Sequence, residues 1–287
     1  MGRRPKEQKK PLTEYLAEHY FDTVYNAEQA VKLGIVHVNG KLVKRPGIDF
    51  DEASDEIKVV GGGAIYVSRG GYKLQEAIKA FGIDVKDRVC LDIGSSTGGF
   101  SDCMLQFGAG KVYAIDTGYG QLDWKVRTNP KVEVVERMNV RYLLPERLYG
   151  VVDSPDKATF AAIDVSFISA IKVIPSVQSL LAGPDKSEMA ILIKPQFEAG
   201  KNQVGRSGLV RNPSIHFEIL HDFILNAYRN GLEIKKLTHS PLLGATGNLE
   251  FLAHAKWPKA GVTVNPQLKD WLSKITQVAY LEHKLEV

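Results

Sequence analysis

Between Val89 and Phe100 the chain reads Val-Cys-Leu-Asp-Ile-Gly-Ser-Ser-Thr-Gly-Gly-Phe. The first five residues predict a buried strand, the glycines a tight turn, and the residues beyond them the opening of a helix. A second run, Lys111 to Ile115, ends on Asp116, about 20 residues after the first turn, the offset at which a nucleotide ribose is gripped. This strand–turn–helix unit, followed by a second strand, confines the chain to a parallel α/β sheet with helical crossovers.

The glycines do not follow G-x-G-x-x-G. Asp92 precedes the first, and three residues separate Gly94 from Gly98. A loop that cradles pyrophosphate aims backbone N–H groups at anionic oxygens and gains nothing from a carboxylate. Asp92 suits a ligand with ammonium and sulfonium groups and no phosphate, which points to S-adenosylmethionine. The expected cofactor contacts are Asp92, Gly94, Ser95, Ser96, Thr97, Gly98, Gly99 and Phe100, with Asp116 on the ribose hydroxyls. Asp92 or Asp164 would meet the amino group, and Met138 and Asn139 would flank the adenine. On this segment alone, a structural glycine turn in another α/β enzyme fits as well.

The 287 residues suffice for one large domain and a small one, and 44% hydrophobic with 24% charged residues is ordinary globular composition. No apolar run approaches the roughly 18 residues of a membrane span, and the first residues lack a signal-peptide core. Cys90 and Cys103 read as reduced core residues of a cytoplasmic protein. The seven histidines show no ligand spacing, so no metal is expected. Net charge is +4, with Arg3, Arg4, Lys6, Lys9 and Lys10 facing only Glu7 in the first eleven residues. Such an arm can contact phosphates or remain a solvated tail.

Residues 1–60 read as a separate module. Leu12, Tyr15, Leu16, His19 and Tyr20 suggest a short helix, and Asn26 with Gln29 suggests a capped start for a second, Ala27 to Leu33. Asn39-Gly40 between Ile35–Val38 and Lys41–Val43 is a strong hairpin signal. Glu56 to Val60 supplies a last strand. This order, with "VNGKLVKRPG", resembles the S4 RNA-binding domain, an α+β fold. Residues 12–60 hold nine acids against five Lys/Arg, leaving Lys32, Lys41, Lys44 and Arg45 as expected phosphate contacts. Gly61-Gly62-Gly63 opens a linker over 61–65 and reads as a flexible joint.

From residue 66 to 287 strands and helices alternate. Strands are expected at 89–93, 111–115, 132–136, 160–164 and 189–193, then an antiparallel pair near 232–239 and 248–256, then a helix within 265–287. Three charges end otherwise apolar strands or begin one: Asp164, Lys194 and Glu250. Lys73 opens a helix after Ser68-Arg69-Gly70-Gly71, a run of turn residues that suggests a ligand against the backbone. In open α/β sheets ligands bind beyond the carboxyl ends of the strands, which favours these charges as site residues.

Lys73, Asp164, Lys194 and Glu250 in this order resemble the catalytic set of FtsJ-type ribose 2′-O-methyltransferases. With "SRGGYKL", "LDIGSSTGGF", "AIDTGYGQL", "DVSFIS", "LIKPQFE" and "GNLEFL", the chain resembles the TlyA or hemolysin A family of ribosomal RNA methyltransferases. That resemblance implies a Rossmann-like methyltransferase sheet and S-adenosylmethionine-dependent methylation of cytidine riboses in ribosomal RNA, on assembled subunits. A lysine clustered with another cation in a partly desolvated site can act as a base. Lys194 is expected in that role, oriented by Asp164 and Glu250, with Lys73 holding the hydroxyl or a phosphate. Lys201 and Arg206, in a glycine-containing loop after Lys194, are expected to clamp RNA, together with Arg3, Arg4 and Arg69. Two alternatives are a non-catalytic RNA-binding protein on the same fold and, from the family's older name, a cytolysin.

Overall fold

A computed structural model describes residues 9–63, 65–200, 203–205 and 207–285. The N-terminal part begins with β1 (Lys9–Pro11), α1 (Leu12–His19) and α2 (Val24–Lys32). It continues with β2 (Val36–Val38), β3 (Lys41–Leu42), β4 (Asp49–Asp51) and β5 (Ile57–Val59). The Asn39-Gly40 hairpin forms as expected, both residues taking positive φ, 50° and 72°, as a two-residue turn that matches strand twist requires. Helix α2 starts three residues earlier than expected. Its cap is Thr23, whose Oγ1 accepts from Asn26 N at 3.1 Å; Val24 and Tyr25 are exposed and break the apolar periodicity that would reveal the first turn. The end of the basic arm is a strand, pairing Lys10 with Phe50, and Lys10 meets Glu18 at 3.0 Å. Arg3 and Arg4 lie outside the described residues.

The triglycine is a fixed turn. Gly61 and Gly63 have φ of 86° and 95°, and a Cβ there would run into the Tyr72 ring or the Tyr20 carbonyl. Gln75 Nε2 also donates to Gly61 O at 3.2 Å. One apolar cluster takes in Leu12, Leu16, Val31, Val36 and Phe50 together with Tyr66, Tyr72, Leu74 and Phe100. The expected free hinge is thus replaced by continuous packing across the joint.

Beyond it come α3 (Arg69–Phe81), β6 (Val89–Ile93), α4 (Gly99–Gln106), β7 (Lys111–Ile115), α5 (Trp124–Arg127) and β8 (Val132–Val135). Then follow α6 (Pro145–Tyr149), β9 (Phe160–Ile163), α7 (Ile174–Leu180), β10 (Glu188–Ile193) and α8 (Pro195–Glu198). The chain closes with α9 (Pro213–Arg229), β11 (Glu233–His239), β12 (Phe251–Lys256) and α10 (Leu268–Glu282). Among the described residues these strands form a seven-stranded sheet in the order β11-β12-β10-β9-β6-β7-β8. From β10 to β8 the pairing is parallel, and β12 is antiparallel to both neighbours. The chain leaves β6 toward β7 and β8, then returns to β9 on its other side. The carboxyl ends of β6 and β9 therefore flank the crevice where such sheets bind ligands.

Helix α3 starts at Arg69, four residues before its expected beginning at Lys73. Gly70 and Gly71 are its first turn, not a ligand loop. A Cβ on Gly71 would collide with Tyr66, and one on Gly99 with Ser68 and the Gly71 backbone, so these glycines let α3 and α4 approach closely. Cys90 and Cys103 are buried free thiols; burial pushes the Cys90 thiol up to about 12 and raises that of Cys103. Among the described residues no helix is long and apolar enough to cross a membrane, and no His/Cys/Asp/Glu group could hold a metal ion.

Candidate active site

Strand β6 delivers the chain to a turn that only glycine accommodates at two points. Gly94, at φ 86°, lies against the Asp164 carbonyl of the neighbouring strand end, where a Cβ would clash. Gly98, at φ 91°, is the N-cap of α4 and packs on Leu122 and Val126. Between them Ser96 takes a left-handed φ of 47°, a costly conformation for a side-chain-bearing residue. Ser96 and Thr97 are exposed, while Ser95, Gly98, Gly99 and Phe100 are buried. Phe100 packs into the α3–α4 core, so of its atoms only the backbone can serve a ligand in this loop.

Three carboxylates surround the loop. Asp92 is fully buried; its Oδ2 accepts from Ser101 N and Oγ at 2.8 and 2.6 Å, whereas Oδ1 has no partner. Burial pushes its pKa up to about 7, the nearby Asp164 and Asp116 charges push the same way, and the Ser101 hydrogen bonds oppose them. Asp116 accepts from Ser96 N at 2.8 Å and Gly118 N at 2.6 Å, tying the first loop to the second. Met138 N donates to the main-chain Asp116 O at 2.9 Å, which brings Met138 and Asn139 alongside the end of β7. The Met138 side chain is buried in the core, and Asn139 caps a short 3₁₀ turn through Arg141 N. Such a concentration of negative charge fits a cationic ligand and disfavours a phosphate.

The four expected catalytic residues arrive as two ion pairs. Lys73 Nζ meets Glu250 Oε2 at 2.5 Å, both side chains at or below 10% exposure. Lys194 Nζ lies 2.6 Å from Asp164 Oδ1, while its aligned hydrogen bond goes to Ser166 Oγ at 2.8 Å. Glu250 therefore holds Lys73 and not Lys194, correcting the expected arrangement. The sheet explains the gathering. Ile193 pairs with Phe251, so Lys194 and Glu250 are the next residues on facing strands, and Asp164 N still bonds Ile93 O at 2.8 Å.

Several residues missed from the sequence hold this edge together. Glu198 accepts from Ser169 Oγ at 2.6 Å and Ala170 N at 2.7 Å, joining the segments after β9 and β10; burial raises its pKa despite those donors. Asn248 is buried, accepts from Val210 N and donates to Gly208 O, both at 2.9 Å, pinning the loop that follows Lys194. Both stand inside motifs already quoted, "LIKPQFE" and "GNLEFL", and a polar residue that close to a strand-end charge was the available signal. Phe167, three residues past Asp164, is 92% exposed with φ 66°, and its ring lies 5.4 Å from that of Phe197.

The expected RNA contacts are dispersed. Lys41, Lys44 and Arg45 are exposed on and after the hairpin. Lys32 is paired to Glu28 at 3.7 Å. Arg69 is half-buried and donates to Leu243 O at 2.9 Å, tying α3 to the loop before β12. Lys201 and Arg206 lie outside the described residues.

Residues 66–257 match the family model for FtsJ-like methyltransferases. A Bacillus subtilis protein named "Putative rRNA methyltransferase YqxC" is 44% identical over 240 residues, 84% of this chain and 83% of its own length. The Mycobacterium tuberculosis 16S/23S rRNA (cytidine-2'-O)-methyltransferase TlyA is 38% identical over 225 residues, covering 78% and 81%. A solved structure described as "Putative hemolysin from Streptococcus thermophilus" superposes with a TM-score of 0.72 at 37% identity, covering 97% of this chain and 98% of that one.

Proposed function

The chain belongs to the FtsJ-like methyltransferases, among relatives named TlyA and hemolysin A, and from that premise we propose that it methylates ribose 2′-hydroxyls of ribosomal RNA, on cytidine, using S-adenosylmethionine. The observation that carries the reading is the meeting of two lysine–carboxylate pairs with an acidic, glycine-turned loop at one switch point of the sheet. When bound, S-adenosylmethionine would supply an electrophilic methyl carbon on a sulfonium whose leaving group is a neutral thioether. Asp92, Asp116 and Asp164 suit its positive charges, Gly94 to Gly99 its main-chain contacts, and Met138 with Asn139 its adenine edge.

Lys194 acts as the base in its free-amine form, having given up its own proton, and takes the hydroxyl proton as the ribose oxygen attacks, with Asp164 and Ser166 positioning its Nζ. Such proton removal contributes roughly 10²–10⁴ in rate. Lys73, buried and fixed by Glu250, is a cation set to hold the ribose or its phosphate. Phe167 offers an unpacked aromatic face to a nucleobase at the mouth of the site, and stacking suits unpaired RNA bases. Residues 1–60 act as an S4-like RNA-binding module that presents Lys41, Lys44 and Arg45, while 66–287 carry the chemistry.

The test has two arms. Calorimetry should give S-adenosylmethionine binding that Asp116→Ala weakens at least about tenfold, since that carboxylate also shapes the Ser96 turn. Mapping ribose methylation on ribosomal subunits incubated with the protein should reveal a new 2′-O-methylcytidine. Binding of NAD in preference to S-adenosylmethionine, or subunits left unmodified, would overturn the reading.

A further inference from the structure

A cleft of about 1090 Å3 separates the β2–β3 hairpin and β5 from α3, the loop after β11 and the end of α10. Strand β11 runs in the same direction as β10, because both are antiparallel to β12. The loop after β11 therefore lies at the sheet edge that carries Asp164 and Lys194. Arg69, on the cleft wall, stands one helical turn before Lys73 and bonds that loop. The cleft thus follows the catalytic edge.

One corner of it brings together two lysines and a histidine from three separate segments. His37 and Lys58 are cross-strand partners in the β2–β5 pairing. Lys284, just past α10, lies so close over the hairpin turn that a Cβ on Gly40 would collide with its Nζ. Among the described residues neither Lys58 nor Lys284 has an ion-pair partner, and His37 Nδ1 is buried with no hydrogen-bond partner. Burial holds the His37 imidazole below its usual range, and the charges that add to this are the two lysines. Neighbouring His283 is lowered too, by burial first and also by His239 and Lys58, while its bond to Ser240 O and Glu282 oppose this. Glu56, Glu76 and Glu282 line the cleft as well, and Glu282 faces His239 at 3.3 Å. Converging like charges repel, and an anion placed among them turns each repulsion into attraction.

We propose that His37, Lys58 and Lys284 bind a backbone phosphate of the RNA where its strand runs through the cleft toward the methyl-transfer site. The inference rests on the RNA reading above. Because the ligands come from the N-terminal module and from the end of the last helix, the site exists only while the two are docked as seen.

The test uses the full chain with Lys58 and Lys284 both changed to alanine, two exposed residues outside the reacting cluster. Binding of a ribosomal RNA fragment is followed by fluorescence anisotropy over a salt series. Affinity at low salt should drop about tenfold, and the slope of log affinity against log salt should shrink by about one to two, as for lost phosphate contacts. S-adenosylmethionine affinity and Tm should stay unchanged. In parallel, the His37 imidazole NMR signals should respond to stoichiometric RNA, and to inorganic phosphate only at millimolar levels. A response to micromolar inorganic phosphate that RNA does not displace would assign the corner to free phosphate and overturn the proposal. Unchanged affinity and slope in the double variant, beside a wild type that binds RNA, would overturn the proposal alone. A wild type with no RNA affinity would sink the functional reading and the proposal together.

Discussion

The two ends of the central sheet both carry charged side chains in confined surroundings, yet they are built on opposite principles. At the amino end Arg88, Glu188 and His254 form a network around the starts of β6, β9 and β10. Both Glu188 oxygens are engaged, by Arg88 Nη1 and by His254 Nε2 at 2.7 Å, and Arg88 also donates to Thr159 Oγ1 at 2.8 Å. Among the described residues His254 Nδ1 and the neighbouring Ser187 Oγ are left there without a partner. At the carboxyl end Asp92 Oδ1 is buried and unpartnered, and Gly94, Ser96, Gly98 and Phe167 adopt left-handed backbone. A network with its polar groups paired contributes stability. Groups and backbone held ready without partners cost stability and gain it back from a ligand.

The largest expected contrast comes from Lys194→Ala. Methyl transfer should fall about a thousandfold, the scale of a lost general base, while S-adenosylmethionine affinity barely moves. Near-normal turnover would remove Lys194 from the chemistry and break the distinction between the two ends.

Glu188→Gln should do the reverse. Leaving Arg88 with an uncompensated charge in a confined site costs about 3 kcal/mol, readable as a lower Tm, with kcat of the folded enzyme unchanged. Pairing with His254 and Arg88 holds the Glu188 carboxyl down at about 2, against its ordinary 4.5. Between those values the unfolded chain binds the extra proton, so stability rises with pH across that window. The advantage of wild type over the variant should be complete above about pH 4.5 and vanish as pH falls toward 2. A constant difference across that range would assign the stabilisation to packing.

His216 gives a second pH signature, away from both edges. It is fully buried between α9 and α10, with Nδ1 2.8 Å from Tyr280 Oη, and burial lowers its pKa to about 4. Here the folded state resists protonation, so stability should decline as pH drops from 6.5 toward 4, by up to about 3 kcal/mol. In His216→Gln that slope should flatten, and an unaltered slope would move its origin elsewhere.

The smallest effect is expected at Phe167. Its ring is almost wholly exposed, so Phe167→Ala should leave Tm within about 1 °C. Loss of one base-stacking surface should lower kcat/KM for RNA roughly tenfold. Equal kcat/KM would make the exposed ring a bystander of the carboxyl-end machinery.

Local chemistry determined a good deal of this molecule. Strand periodicity, the Asn39-Gly40 turn and the glycines around Ser96 act within a few residues, and the strands of the large sheet, the hairpin and the glycine turn form where those signals stand. The strand-end charges were legible for the same reason, since a lysine or carboxylate closing an apolar run has few places to go except the sheet edge. What each charge faces was decided only by tertiary structure. Glu250 could be expected near Lys194 because the two are neighbours across β10 and β12, but the approach of α3 brings Lys73 to it first. Gly61 and Gly63 read as a hinge in isolation and became a fixed turn because Tyr72, Gln75 and Tyr20 pack against them. The amino-end network stayed hidden because Arg88, Glu188 and His254 are separated by long stretches of chain and share no spacing. Backbone geometry is set by neighbours in sequence, whereas charge pairing is set by neighbours in space.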